Sequence, residues 1–258
     1  MRERNVRRIE PPTACVIIIG NEILSGKTQD ANLQFLGHEL GKLGIRLAEA
    51  RVIPDIEDTI VATVNEMRTK YRYVFTTGGI GPTHDDITAP AIAKAFGRDL
   101  VLDAIAVQRM QRGRFELNEA RLKMAHVPEG ATLIENPTSF APGFRVDNVF
   151  VLAGIPSVAR AMFGTLVAEL DSGGSIFSAN VDVFMREGDI AKPLEALALE
   201  YADLDIGSYP FSREGRFGAN LVVRGLDKGR VAEAIGRIVS TMTELGGPAN
   251  MGAPEEVA

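Results

Sequence analysis

Tyr73-Val74-Phe75-Thr76-Thr77-Gly78-Gly79-Ile80-Gly81-Pro82-Thr83-His84-Asp85-Asp86-Ile87-Thr88 decides how this chain is read. Its first third is a short apolar run of the length of a buried strand. Three glycines then fall within four positions. Lacking a Cβ, glycine takes positive φ and lets backbone lie against a ligand. Two carboxylates follow, and Thr88-Ala89-Pro90-Ala91 opens a helical pattern. Strand, glycine loop, acid pair and helix start are how an open α/β sheet builds a site at the carboxyl ends of its strands. Free backbone N–H groups and the helix N-terminus favour an anion there. Asp85 and Asp86 repel a bare phosphate, so a cation or a transferred proton belongs to the same site. An acidic helix start is common in its own right; the glycines are what favour a site.

The chain's bulk properties narrow the choices. At 258 residues it fits one large domain or two modest ones. A net charge of -6 argues against sequence-independent nucleic-acid binding, which runs on basic surface. The single cysteine, Cys15, excludes an intrachain disulfide and a thiolate metal cage. It begins an apolar run and reads as a small core residue, consistent with a reducing cytoplasm, the expected location. Residues 1–13 are basic (Arg2, Arg4, Arg7, Arg8) and read as a flexible arm. The apolar run over 14–19 falls short of the ~7–15 residues of a signal core. No run approaches the ~18–20 residues of a membrane span, so a soluble protein with no membrane partner is expected.

Upstream of the glycine loop, residues 14–19 form a continuous apolar run, the mark of a central parallel strand covered on both faces. Gly20-Asn21-Glu22-Ile23-Leu24-Ser25-Gly26-Lys27-Thr28 follows it. Gly26-Lys27-Thr28 suggests a P-loop, but that motif needs a glycine where Asn21 stands, so the reading is rejected. The loop leaves a buried strand just as the Gly78 loop does, and Glu22 reads either as a polar contact in a site or as a solvated acid. Residues 31–43 carry leucines at helical spacing behind Asp30, a plausible N-cap. Residues 45–53 read as a strand that Pro54-Asp55 breaks. Asp55 has two readings, helix N-cap or cleft-facing acid at a strand's carboxyl end.

Downstream, a helix is expected over 88–96, then one or two exposed helices in the charged stretch 103–125. His126 reads as a loop residue beyond it. Residues 131–134, 144–146 and 149–152 read as strands. Glu135-Asn136-Pro137-Thr138-Ser139-Phe140-Ala141-Pro142-Gly143 is a turn-rich loop, and Ala153-Gly154-Ile155-Pro156-Ser157 is a third strand-to-helix loop. The alternation over 14–171 predicts an α/β domain with a mostly parallel sheet, helices on both faces, and glycine loops converging on one rim. Composition breaks at 171–175. Over 175–246 a β-α-β-β-α pattern predicts a small α+β domain with a packing or dimerisation role, residues 209–216 forming an exposed hairpin connection. The tail, 247–258, reads as disordered. His84 sits beside the acids, but one histidine does not make a zinc site, and spacing alone assembles no Ser-His-Asp set.

Thr76-Thr77-Gly78-Gly79-Ile80-Gly81-Pro82-Thr83-x-Asp85-Asp86-x-Thr88 resembles the signature of the CinA-like (competence/damage-inducible protein A) branch of the molybdopterin-binding superfamily. That superfamily also holds the MoaB/Mog proteins and the gephyrin G domain. Supporting matches are Gly20-x-Glu22-Ile23-Leu24-x-Gly26 with Asp30-x-Asn32, then Asn136 ahead of Ala141-Pro142-Gly143, then Gly154-Ile155-Pro156. As a set, in this order, they are specific. One departure stands out: Ala153-Gly154-Ile155-Pro156-Ser157-Val158 lacks the first proline and the following acid of many CinA proteins.

The resemblance implies a three-layer α/β/α fold followed by a small α+β domain. It also implies a phosphate-bearing nucleotide or pterin ligand and a homo-oligomer, dimer or trimer. Without the C-terminal amidase domain of full-length CinA proteins, deamidation of nicotinamide mononucleotide is not expected. In CinA-like relatives the domain is associated with metal-dependent hydrolysis of a nucleotide pyrophosphate such as ADP-ribose, and related domains act on FAD. In gephyrin-like relatives the ligand is molybdopterin, adenylated with ATP and Mg²⁺. A scaffold that has lost its chemistry is the third possibility. In the gephyrin-like relatives, acids at the positions of Asp55 and Asp86 are implicated in the adenylation; on the hydrolase reading Asp85 and Asp86 are expected to hold Mg²⁺ or another divalent cation, with Asp86, Asp85 and Asp55 as the expected catalytic acids. Gly20, Glu22, Gly26, Thr77, Gly78, Gly79, Gly81, Thr83, Asn136, Gly154 and Pro156 line the ligand.

Overall fold

The computed structural model describes residues 11–113, 116–171, 173–174, 176–213, 215–247, 249–251 and 255–256. The first ten residues of the expected arm lie outside them, and Thr13 already begins a strand. The chain divides into two units near Gly173.

The first unit runs β1 (Thr13–Ile19), α1 (Asn21–Leu24), α2 (Asn32–Lys42), β2 (Arg46–Ile53), α3 (Glu57–Lys70), β3 (Tyr73–Thr77), α4 (Thr88–Phe96) and β4 (Leu100–Leu102). It continues through α5 (Ala104–Met110), α6 (Glu119–Leu122), β5 (His126–Pro128), β6 (Thr132–Ile134), β7 (Gly143–Val146), β8 (Val149–Leu152) and α7 (Pro156–Leu166). Six strands form one sheet in the order β2-β1-β3-β8-β7-β6. The first four are parallel and the β8-β7-β6 edge is antiparallel. The mostly parallel α/β sheet is as the apolar runs predict.

Alternation along the strands sorts side chains to two faces. Cys15, Ile17, Ile19 and Val74 pack with Ile60, Val64 and Met67 of α3 and Ala91 and Ile92 of α4. On the other face Phe75 stacks on Phe150 at 5.1 Å and meets Phe163 of α7 at 5.8 Å, while Phe163 meets Phe35 of α2 edge-on at 5.7 Å. Each such buried side chain contributes about 1.5–3 kcal/mol. Burial pushes the Cys15 thiol up to about 12, as suits a packing residue rather than a reactive one. The chain leaves β1 for β2 on one side, then crosses to β3 on the other. The loops after β1 and β3 therefore part at the rim, the switch point where α/β sheets bind ligands.

The stretch 103–125 does contain two helices, but it is bracketed by an antiparallel pair, β4 with β5, that was not foreseen. Three-residue strands are too short to display a period.

The second unit holds β9 (Phe177–Val183), α8 (Glu187–Glu200), β10 (Asp205–Arg213), β11 (Arg216–Gly225) and α9 (Lys228–Glu244). Its antiparallel sheet packs Val181, Val183, Leu221 and Val223 against Val231, Ile235, Ile238 and Met242, which recur at helical spacing on α9. The expected exposed connection over 209–216 is instead mostly ladder, paired through to Arg213 opposite Arg216. Phe184 meets Phe211 edge-on at 5.5 Å, with Arg213 and Arg216 each 4.4 Å over a ring, which extends the strands. The tail, expected to be disordered, carries β12 (Ala249–Met251) and β13 (Glu255–Glu256), both paired with β9. An open strand edge offers unpaired N–H and C=O groups, and these short strands take them up. The rest of the tail beyond Gly247 lies outside the described residues. No described helix is long and apolar enough to cross a membrane.

Candidate functional site

The four parallel strands end in loops that touch. The Gly78 N–H donates to the Leu152 carbonyl at 3.2 Å. Gly78 has φ +101°, and a Cβ there would lie 2.1 Å from the Ile19 carbonyl oxygen. No side chain fits between β1 and β3, and glycine alone holds that backbone without strain. The Gly20 N–H donates to the Ile53 carbonyl at 3.1 Å. The Asn21 N–H donates to Asp55 Oδ2 at 2.8 Å, and Asn32 Nδ2 donates to the Gly154 carbonyl at 2.8 Å. Of the two readings of Asp55, the helix cap is not made. Ile56 takes the N-cap position of α3, and the carboxylate reaches the loop after β1 instead. Gly26-Lys27-Thr28 lies in the turn after a one-turn helix and opens no helix itself, since α2 starts at Asn32, so the P-loop arrangement is not made.

The bend is tied to the helix it feeds. The Gly79 carbonyl accepts from the Thr88 N–H at 2.9 Å, and the buried Thr88 hydroxyl donates to the Gly78 carbonyl at 2.9 Å. Asp86 Oδ2 accepts from the Thr83 N–H at 2.8 Å and from the Thr83 hydroxyl, while Oδ1 takes neither bond. Asp85 is 64% exposed, with His84 at 4.0 Å. Hydrogen bonding from the Thr83 hydroxyl and from its own amide holds its carboxyl below the usual carboxylate range. The Thr83 hydroxyl has a single hydrogen, so the two acids compete for it; the bond geometry gives it to Asp86.

Gly79, Ile80, Gly81 and Asp86 form one wall of a cavity of about 600 Å³, a size that suits a small-molecule ligand. Ala89 and Pro90, in the first turn of α4, open on it, so the positive end of that helix faces the cavity. Leu100, Pro142 and Phe144 supply apolar surface, and Glu119, Ala120, Lys123, Met124 and His126 complete the lining.

Of the residues singled out in the sequence, Gly79, Gly81 and Asp86 line this cavity. Gly20, Gly78, Asp55 and Gly154 gather at the strand ends through the contacts above, and Thr83 braces Asp86. Thr77 is buried at the end of β3. Glu22 is exposed and folds its carboxylate over Gly20; Gly26 and Pro156 are exposed, Pro156 as the first residue of α7. Asn136 stands apart. Its amide donates to Ser139 Oγ and the Ala141 carbonyl, both at 2.8 Å, and its Oδ1 accepts from the Thr138 and Ser139 N–H groups. That capacity goes into folding its own loop, beside Phe140 at φ +65°.

Sequence reasoning missed Glu119, Lys123 and His126. They recur at i, i+4 and i+7, a spacing that would have set them on one side of a helix. Lys123 Nζ donates to the Thr83 carbonyl. His126 Nδ1 lies 3.1 Å from the Leu122 carbonyl. A carbonyl only accepts, so Nδ1 carries the hydrogen and Nε2 of the neutral ring is left as an acceptor.

The described residues contain no cluster of three or more His, Cys, Asp and Glu side chains placed to hold a metal. A hard cation that keeps its waters needs only one or two carboxylates plus ligand phosphates; Asp86, whose Oδ1 takes no bond from Thr83, is such a carboxylate on the cavity wall, while Asp85 is not among the lining residues. Two buried polar atoms at the rim, Thr77 Oγ1 and Asn32 Oδ1, find no partner among the described residues.

Residues 15–172 match the family model described as a probable molybdopterin binding domain. Over 61% of this chain and 98% of the other, the structure superposes on protein CinA of Thermoplasma acidophilum, a protein of unknown function, with a TM-score of 0.58 and 34% identity. The chain is a CinA-like member of the molybdopterin-binding superfamily. A CinA-like protein of Kosmotoga olearia is 38% identical to it over 160 residues, 59% of this chain and 39% of that one. In this CinA-like protein, residues 175–246 match the FAD synthase middle domain. A probable FAD synthase of Caenorhabditis elegans is 30% identical over 270 residues, covering 94% of this chain and 51% of that protein. The chain thus spans about half the length of that relative and less than half of the Kosmotoga protein.

Proposed function

We propose that this CinA-like protein is a metal-dependent hydrolase of a nucleotide pyrophosphate, with ADP-ribose or FAD as substrate. The observation that carries the reading is the shared cavity: the glycine bend, the N-terminus of α4 and Asp86 all open on a space with apolar walls. The amides of Gly79 and Gly81 donate to diphosphate oxygens, and the dipole of α4 adds to their pull. Asp86, with Asp85 next to it in the chain, would hold Mg²⁺ or a similar ion, which when bound would neutralise phosphate charge. Leu100, Met124, Pro142 and Phe144 take the ring. Asp55 holds the loop after β1 in place through its bond from the Asn21 N–H. Water adds to one phosphorus and the bridging P–O bond breaks, giving AMP with ribose 5-phosphate from ADP-ribose, or AMP with FMN from FAD. The similarity to a probable FAD synthase along 94% of the chain supports a flavin or adenine nucleotide. The test is chromatographic: purified protein with Mg²⁺ releases AMP from ADP-ribose or FAD, and intact substrate after long incubation rules the hydrolase out.

The description of the family model supports a second reading, molybdopterin binding; on that reading ATP would adenylate the bound pterin and release pyrophosphate. Pterin-dependent consumption of ATP separates it from the first. A protein that only binds gains thermal stability with ligand and releases no AMP.

A further inference from the structure

We propose that Lys123, on the wall facing the glycine bend, is the side chain that balances the negative charge of the ligand's diphosphate. The inference rests on reading the cavity as a diphosphate site. Among the lining residues Lys123 is the one lysine or arginine, and Asp86 and Glu119 are the acids. An anion entering this space meets two carboxylates, and the amide dipoles of the bend do not cancel two full charges. An ammonium has three hydrogens. One is directed at the Thr83 carbonyl, and the others remain for phosphate oxygens. The contact also fixes where the charge sits. Thr83 gives its N–H and hydroxyl to Asp86 and receives Lys123 on its carbonyl, so one residue spaces the cation from the acid that holds the metal. Lys123 belongs to a short helical turn rather than to the sheet, and its side chain reaches the bend at the Thr83 carbonyl.

The competing role is a brace that merely steadies Thr83. Glutamine keeps an N–H for that carbonyl and removes the charge, so Lys123→Gln separates the two. Calorimetric titration of ADP-ribose with Mg²⁺ at two NaCl concentrations is the experiment. Wild type is expected to weaken as salt rises, because its binding includes an ion pair. Lys123→Gln is expected to bind about tenfold more weakly or worse, with a shallower salt dependence. Lys123→Arg, which keeps the charge, is expected to stay within about threefold of wild type. Lys123→Gln binding like wild type with equal salt dependence overturns the inference and leaves the diphosphate site standing. Wild type that binds neither ADP-ribose nor FAD removes the site and the inference together. A second measurement needs no variant. In wild type, acetylation of Lys123 by an amine-reactive reagent, read by mass spectrometry, should be suppressed by ADP-ribose with Mg²⁺ while Lys27 and Lys228 label unchanged. Equal labelling of Lys123 with and without the nucleotide contradicts the proposal.

Discussion

The two walls of the cavity are made from different material. Gly78 through Asp86 is shaped by backbone: positive φ at Gly78 and Gly79, a carbonyl 2.1 Å from where a Cβ would sit, and helix amides beyond. Residues 119–126 work through side chains on short elements, a four-residue helix, a three-residue helical turn and a three-residue strand. A backbone wall tolerates almost no substitution and announces itself in composition, because glycine alone fits it. A side-chain wall is built from Glu, Lys and His, ordinary surface residues, and leaves no compositional mark. The first should break by unfolding and the second by losing affinity.

Gly78→Ala should have the largest effect. The left-handed backbone and the clash with the Ile19 carbonyl together should cost about 3 kcal/mol or more of unfolding free energy, measured by denaturant titration. A loss under about 1 kcal/mol would mean the wall is not made by backbone at all. Asp86→Asn sharpens the contrast from the other side. Its amide oxygen still accepts from the Thr83 N–H, so melting should barely move while AMP release falls about 100-fold. Asp55→Ala frees the Asn21 N–H and should cost about 1 kcal/mol of stability, with little change in ligand affinity if Asp55 is a brace. A collapse of turnover without loss of stability would return Asp55 to the chemistry.

The smallest effect lies away from both walls. Hydrogen bonds from Lys70, then Tyr71 and Arg51, hold the Glu49 carboxyl at about 2, against an ordinary 4.5. The folded-state value is depressed, so the stabilisation is complete above pH 4.5 and is lost as pH falls toward 2. Melting curves of Glu49→Gln should therefore converge on wild type across that interval and lie below it at neutral pH. An equal gap at every pH would show that the carboxylate's charge is not what matters.

How much of this was legible follows from the same physics. Continuous apolar runs gave away β1, β3 and β8, and the spacing of glycine, acid and threonine from Gly78 to Thr88 marked the bend. Thr88 turned out to be the tie between the bend and α4. Asp55 stayed ambiguous because an acid after proline suits a helix cap as well as a bridge; only its partner Asn21, 34 residues away, decides. Asn136 carried the motif but bonds its own loop. The β4-β5 pair and the tail strands were beyond reach, since three residues show no period and their pairing is set by a distant edge. Lys123 was hidden because a lysine on a charged stretch looks like solvated surface.

The grip of the bend on a diphosphate can be watched directly. In ¹⁵N-labelled protein titrated with ADP-ribose and Mg²⁺, the amides of Gly79, Ile80 and Gly81 should shift together, with those around Lys123 following. Saturable binding that leaves those three amides unmoved would put the ligand elsewhere and contradict a site built on the glycine bend.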